Sequence, residues 1–282
     1  MKGNRMAAGD NNKTKMSAGE CLRVLQITDT HLFEAVDGKL VGMSTDETAC
    51  EVLEKALGSF WPSDLILATG DIVHDTSEAA YRRFKERFEA LEVPTLVIPG
   101  NHDAPATLNR IMQGGYVTAE RHRIVGNWQF IMLDSTKPDS DGGHLVESEL
   151  KLLERLLSEH PDQHAIVCLH HHPVSVDCRW IDTIGVDNAD EFFAVLDRFP
   201  QVRAVVWGHI HQDYDSERKG VRLLASPSTC IQFKPRQEEF ALDDAPPGFR
   251  WLRLYPDGRI ETAVERVEAR WRAVDLQSVG YS

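Results

Sequence analysis

The sequence predicts an α/β protein built from two mixed β-sheets, stacked on each other and flanked by helices in one domain. Three observations carry that expectation. Short apolar runs alternate with amphipathic helical patterns along the chain. Two turn signals, Gly126-Asn127 and Asp257-Gly258, lie between apolar runs and mark hairpins, which add antiparallel strands. No internal repeat, low-complexity tract or long linker divides the 282 residues, a length that accommodates one large domain.

Each element has its own signal. Leu22 to Ile27 reads as a first strand. Ser44-Thr-Asp-Glu47 reads as a capping box, followed by Val52, Leu53, Ala56, Leu57 and Phe60 at helical spacing. Leu65 to Ala68 is a second strand. Ala80, Phe84, Phe88 and Leu91 then mark a helix stopped by Pro94, with Phe84 and Phe88 on its core face. The charged stretch from Arg82 to Glu89 is the solvated side of that helix. "LVIP" is the third strand, and "HRIVGNWQFIMLDS" holds the first hairpin. Leu150, Leu153, Leu156 and Leu157 form another helix before a strand from Ala165 to Leu169, in which Cys168 serves as a small buried hydrophobe. Asn188-Ala-Asp-Glu191 caps a helix running to about Phe199. Strands Ala204 to Trp207 and Val221 to Ala225 follow, and "FRWLRLYPDGRIETAV" is the second hairpin. The domain is expected over 21–268, with residues 1–20 a flexible tail and 269–282 a C-terminal tail.

Charge and cysteine content narrow the function. A net charge of -13 opposes a role coating nucleic acid or an anionic membrane, since both need a Lys/Arg surplus. A small anionic substrate remains compatible, because a local cation reverses the field inside a cleft. The five cysteines form no C-x-x-C pair and point to a reducing cytoplasm. The first twenty residues lack the apolar centre of a signal peptide, and no run approaches the roughly eighteen residues of a membrane span. A monomer or homodimer is expected.

The chemistry sits where apolar runs end. The first ends in "TDTH", offering Asp29 and His31; the second in "TGD", offering Asp71; the third in "PGNHD", offering Asn101 and His102. The later strands end in His170-His171-His172-Pro173 and in "GHIH", offering His209 and His211. The carboxyl ends of strands in an open α/β sheet gather along one edge, where ligands bind. Asp-x-His or Gly-Asp alone is common by chance; the ordered series after apolar runs is specific. Seven donors exceed the needs of one tetrahedral zinc, and the set lacks thiolates. Mixed oxygen and imidazole donors suit Mn²⁺, Fe or Zn²⁺. Two close metals sharing a carboxylate would serve in-line displacement at phosphorus.

These motifs, "ITDTHLF", "ATGDIVHD", "IPGNHD", "LHHHP" and "WGHIHQ", resemble those of the calcineurin-like metallophosphoesterase superfamily. With "PVSVDCRWID", "LLASPSTCIQFKP" and the terminal "GYS", the resemblance is closest to bacterial class III 3′,5′-cyclic-AMP phosphodiesterases of the CpdA type. It implies a four-layer α/β/β/α sandwich. It also implies one metal on Asp29, His31, Asp71 and His211, and a second on Asp71, Asn101, His170 and His209. Fe and Mn are the expected ions, with Zn or Mg as alternatives. Within the triple histidine the ligand is His170 by ungapped comparison, or His171 by the His-x-Pro form.

On the same resemblance the substrate phosphate meets His31, Asp71, Asn101, His102, His170 and His211, and His102 and Asp71 are catalytic. The implied reaction hydrolyses 3′,5′-cyclic AMP to 5′-AMP by in-line attack of a metal-bridging hydroxide. His102 would contact a phosphoryl oxygen and protonate the departing 3′ oxygen. Asp103 would orient His102 or hold the turn. A broader phosphodiesterase or phosphomonoesterase, acting on 2′,3′-cyclic nucleotides or small esters, is the alternative. A non-catalytic scaffold is disfavoured because every donor position is filled. His74, His122, His144, His160 and His164 belong to no motif and read as surface or hydrogen-bonded residues. Trp180 and Phe233 suit adenine stacking or core packing equally.

Overall fold

Alternating apolar runs become strands whose successive side chains point to opposite layers, and this alternation builds the molecule. The computed structural model describes residues 21–268 and 274–280. The expected N-terminal tail and the last two residues of "GYS" lie outside them. In chain order the elements begin β1 (Leu22–Ile27), β2 (Lys39–Leu40), β3 (Met43–Ser44), α1 (Thr45–Ser59), β4 (Leu65–Thr69), α2 (Glu78–Glu89) and β5 (Thr95–Ile98). There follow α3 (Pro105–Ile111), β6 (Val117–Thr118), β7 (His122–Val125), β8 (Trp128–Met132), α4 (Glu147–Glu159) and β9 (His164–Cys168). The chain continues with α5 (Arg179–Asp182), α6 (Ala189–Leu196), β10 (Val202–Trp207), β11 (Tyr214–Arg218) and β12 (Val221–Ala225). It closes with β13 (Gln232–Phe233), β14 (Leu242–Asp243), β15 (Gly248–Leu254) and β16 (Ile260–Arg266).

One sheet runs β16-β15-β1-β4-β5-β6 and the other β11-β12-β10-β9-β8-β7. Each has a parallel centre with antiparallel strands added at its margins: β15 and β16 in the first, β7 and β11 in the second. Both hairpins expected from Gly126-Asn127 and Asp257-Gly258 form. β2–β3 and β13–β14 are separate two-stranded ribbons.

The period of two sorts residues between layers. Val24, Leu67, Leu96 and Ile98 face Phe130, Ile166, Cys168 and Val206 in an apolar layer between the sheets. Their neighbours Leu25, Ile66, Ala68 and Val97 turn outward to α1, α2 and α3, where Val52, Tyr81, Phe84 and Leu108 cover them. Ile131, Val167, Val205 and Leu223 likewise meet Leu153, Leu157, Phe192 and Leu196 of α4 and α6. The result is the four-layer α/β/β/α sandwich. Among the described residues, no helix is long and apolar enough to cross a membrane.

Two caps differ from expectation. Ser44 precedes α1 but makes no side-chain cap hydrogen bond. The box's Asp46 instead binds Arg83 Nε at 2.7 Å and Arg87 Nη2 at 2.6 Å, tying α1 to α2. Asn188 likewise leaves α6 uncapped, because its amide pairs with both the N–H and the carbonyl of Leu145. At α6 a long-range partner outcompetes the local cap. Beyond β16, Val274 packs on the core and the Asp275 N–H donates to the Val41 carbonyl at 3.1 Å.

Leu67→Ala should lower stability by about 2–5 kcal/mol, because it leaves a cavity between two sheets that cannot collapse independently. Urea unfolding measures this; a loss below about 1 kcal/mol would mean that the layer is loosely packed.

Candidate metal centre

Every strand that carries a motif delivers it to the same rim. Two or three residues past the ends of β1, β4 and β5 stand Asp29, Asp71 and Asn101 from one sheet; two past β9 and β10 stand His170 and His209 from the other. Asp29, His31, Asp71, His209 and His211 all have positive φ, between 44° and 65°. That left-handed backbone is unfavourable for residues with a Cβ, and its concentration at one rim marks a functional site. Glycines allow the close approach. A Cβ on Gly100 would lie 2.2 Å from Asp71 Oδ1, and one on Gly208 would lie 2.1 Å from Thr28 Oγ1 and 2.7 Å from Asp29 Oδ2. On Gly70, with φ +97°, it would meet His170 Nδ1 at 2.3 Å.

Asp71 stands between two donor groups. Its Oδ2 is 3.7 Å from His31 Nε2 and 3.3 Å from His170 Nε2. His31 Nε2 in turn is 3.2 Å from His211 Nε2, which is 3.4 Å from Asp29 Oδ1. On the other side His170 Nε2 is 3.2 Å from Asn101 Oδ1. His209 packs against His170 with ring centroids 5.1 Å apart, and its N–H donates to Asp29 Oδ1 at 3.1 Å. All seven sequence-derived donors therefore converge. His102 lies beside them: its N–H donates to Asp71 Oδ1 at 2.9 Å, and its ring meets that of His31 edge-on at 4.9 Å.

The far nitrogens of the imidazoles are fixed by the fold. His170 Nδ1 donates to the Thr69 carbonyl and His211 Nδ1 to the Ile231 carbonyl, each at 2.8 Å. This sets the tautomer that aims the Nε2 lone pair inward. Within the triple histidine, His170 is the residue that reaches Asp71 and Asn101. His171 turns its Nδ1 to Ser135 Oγ at 2.8 Å and stands beside His209, 4.7 Å between centroids.

The electrostatics are those of a buried charged nest. Burial opposes ionisation of Asp71, but the surrounding imidazoles, His170 foremost, hold its carboxyl well below the ordinary range. For His170 burial disfavours the cation, yet Asp71 outweighs it and raises the ring to about 9. A metal ion bound beside Asp71 would displace the proton from Nε2 and expose that lone pair. Burial lowers His31 and His209 well below the usual imidazole value, leaving them neutral. The Nε2 atoms of His171 and His209 are buried without a hydrogen-bond partner. Buried polar atoms normally find partners, so orphans beside two buried carboxylates fit a site for cations.

Asp103 is a bracket, and the turn-holding alternative is the one realised. It accepts from the N–H groups of Gly100, Ile72 and Val73 and from the Tyr81 hydroxyl, at 2.8–3.2 Å. Burial, and then the Asp71 charge, push its carboxyl up to about 7. Phe233 is packing: it is buried, stacked on His211 at 4.2 Å, and enclosed by Trp180 and Phe240. Sequence reading missed His74, which follows Asp71 by three residues yet stacks on His102 at 4.7 Å. Burial, followed by the neighbouring His102, lowers its pKa to about 4. It is the penultimate residue of "ATGDIVHD", and nothing in its spacing from Asp71 marks its contacts with His31 and His102.

Two stacked mixed sheets with a carboxylate-centred imidazole nest on their shared rim define a metallophosphoesterase. The family model for calcineurin-like phosphoesterases matches residues 22–213, and the chain belongs to that family of hydrolases. It is 42% identical over 266 residues to the 3′,5′-cyclic adenosine monophosphate phosphodiesterase CpdA of Escherichia coli (strain K12), across 94% of this chain and 97% of that one. With the Pseudomonas aeruginosa CpdA it shares 40% identity over 258 residues, covering 92% and 94%. A dimetal phosphatase from Danio rerio, 16% identical, shares the fold with a TM-score of 0.62 over 88% of this chain and 99% of its own.

Gly100→Ala should force Asp71 aside. Metal stoichiometry by inductively coupled plasma mass spectrometry is expected to fall while the far-ultraviolet circular dichroism stays unchanged. Full metal uptake by this variant would contradict the close approach at Asp71.

Proposed function

We propose that the protein hydrolyses 3′,5′-cyclic AMP to 5′-AMP at this centre. The observation that carries the chemistry is the sharing of Asp71 Oδ2 between two donor groups, 3.7 Å from His31 and 3.3 Å from His170. The substrate rests on the relatives named CpdA, which match across nearly their whole length. In this reading Asp29, His31, Asp71 and His211 hold one ion, and Asp71, Asn101, His170 and His209 hold the other. Mixed oxygen and nitrogen donors suit Fe and Mn, with Zn or Mg as alternatives. When bound, such a pair neutralises phosphodiester charge and lowers the pKa of water toward neutrality.

The chain's own groups do the rest. The carbonyls of Thr69 and Ile231 hold His170 and His211 in the tautomer that keeps a lone pair inward. Asn101 contributes a neutral oxygen, which preserves more net positive charge than a carboxylate would. The bound pair would supply hydroxide for attack at phosphorus, and breaking the P–O3′ bond then requires a proton at the departing oxygen. His102, anchored through its N–H to Asp71, contacts a phosphoryl oxygen and gives its proton to the departing 3′ oxygen. The five cysteines are unpaired thiols, which supports a cytoplasmic setting.

Hydrolysis of a cyclic-nucleotide panel with added Mn²⁺ or Fe²⁺ tests the substrate. Preference for 3′,5′-cyclic AMP is expected, and a strong preference for 2′,3′-cyclic AMP would sink this reading in favour of the broader phosphodiesterase. His102→Ala should keep its metals and lose about 10²-fold or more in turnover, whereas Asp71→Asn should lose metal and activity together. Parental turnover in His102→Ala would remove His102 from the reaction.

A further inference from the structure

Three imidazoles point an Nε2 at or beside Asp71, and two of them have a carbonyl behind the far nitrogen. The third, His31, has a histidine there instead: His74 Nδ1 lies 3.3 Å from His31 Nδ1. The geometry points to His74 as a positioning residue of the proposed centre, accepting the Nδ1–H of His31 and supporting the ring of His102. The inference rests on the metal-centre reading above.

The tautomers follow from donor and acceptor counting. A neutral imidazole carries one N–H and one lone pair. If His31 turns its Nε2 lone pair toward Asp29, Asp71 and His211, its proton sits on Nδ1. His74 Nδ1 must then accept, which places the proton of His74 on Nε2. Ligand histidines almost always hand that second N–H to an outer partner, and losing the partner weakens metal binding about 10- to 100-fold.

The backbone sets His74 in place. The His31 N–H donates to the Asp71 carbonyl at 2.9 Å, Leu32 N–H to Ile72 at 3.1 Å, and His74 N–H returns to Leu32 at 2.9 Å. These bonds zip the Asp-x-His loop to the Gly-Asp loop. The ring of His74 then lies between Phe33, at 4.7 Å, and His102, at 4.7 Å and 21° between planes. One half-buried side chain thus touches both a proposed ligand and the proposed proton donor.

Two substitutions separate the contacts. Asparagine retains an acceptor near the Nδ1 position and lacks the ring; phenylalanine retains the ring and lacks the acceptor. For His74→Phe, calorimetric titration with Mn²⁺ should show binding weakened about 10- to 100-fold. For His74→Asn, Mn²⁺ affinity should stay near the parent's, while kcat for cyclic AMP falls about 10-fold at unchanged KM. Undiminished Mn²⁺ affinity in the phenylalanine variant, or an affinity loss in the asparagine variant, would overturn the assignment.

Imidazole ¹⁵N spectra of the Zn²⁺-loaded parent give a readout that needs no variant. His31 should appear ligated at Nε2 and protonated at Nδ1, with His74 protonated at Nε2. If His31 shows no ligation, the metal-centre reading itself fails. If His31 is ligated but His74 is protonated or metal-bound at Nδ1, the role of His74 alone is wrong.

Discussion

The structure turns on one buried carboxylate. Asp71 has almost no solvent to stabilise its charge, so its neighbours must do so. The imidazoles of His170 and His31 face Oδ2, and the N–H of His102 takes Oδ1. Satisfying that charge requires strand ends from two sheets to meet within hydrogen-bonding distance. The left-handed backbones at Asp29, His31, Asp71, His209 and His211 and the bare Cα atoms of Gly70, Gly100 and Gly208 are what permit the meeting. The Asp103 bracket then fixes the two loops that follow β4 and β5.

Function therefore depends on how the sheets are stacked. Asp29, His31, Asp71, Asn101 and His102 come from one sheet, and His170, His209 and His211 from the other. Polar ties cross the layer between them. Gln26 Nε2 donates to the Trp207 carbonyl at 2.8 Å, His170 to Thr69, and the His209 N–H to Asp29. A slip by one residue in a strand would send its side chains to the wrong layer. The apolar layer of Val24, Leu67, Leu96, Phe130, Ile166 and Val206 opposes such a slip. Core packing and the placement of the rim side chains are thus set by the same register.

Much of this was legible in the chain because core strands are continuous apolar runs and their polar ends are abrupt. Asp29, His31, Asp71, Asn101, His170, His209 and His211 each follow such a run, and the structure brings them together on one rim. Elements without a core face were harder to see. β11, with Tyr214, Asp215, Ser216, Glu217 and Arg218, is a polar edge strand, and its pairing with β12 supplies what its sequence does not. β6 is two residues long and α3 two turns, too short for a periodic signal. Ser44 and Asn188 carry cap-like patterns, but neither side chain caps its helix, and distant Leu145 takes the Asn188 amide. His74 and Ser135 were invisible for a related reason: each acts through a contact with a residue far along the chain, and spacing does not encode such contacts.

The central claim is that Asp71 joins two cation sites. Anomalous diffraction from crystals grown with Mn²⁺, collected above and below the metal edge, addresses it most directly. Two peaks about 3.5–4 Å apart, flanking Asp71 with His31 and His211 on one side and Asn101, His170 and His209 on the other, are expected. A single peak, or a second one held by His171 away from Asp71, would contradict it.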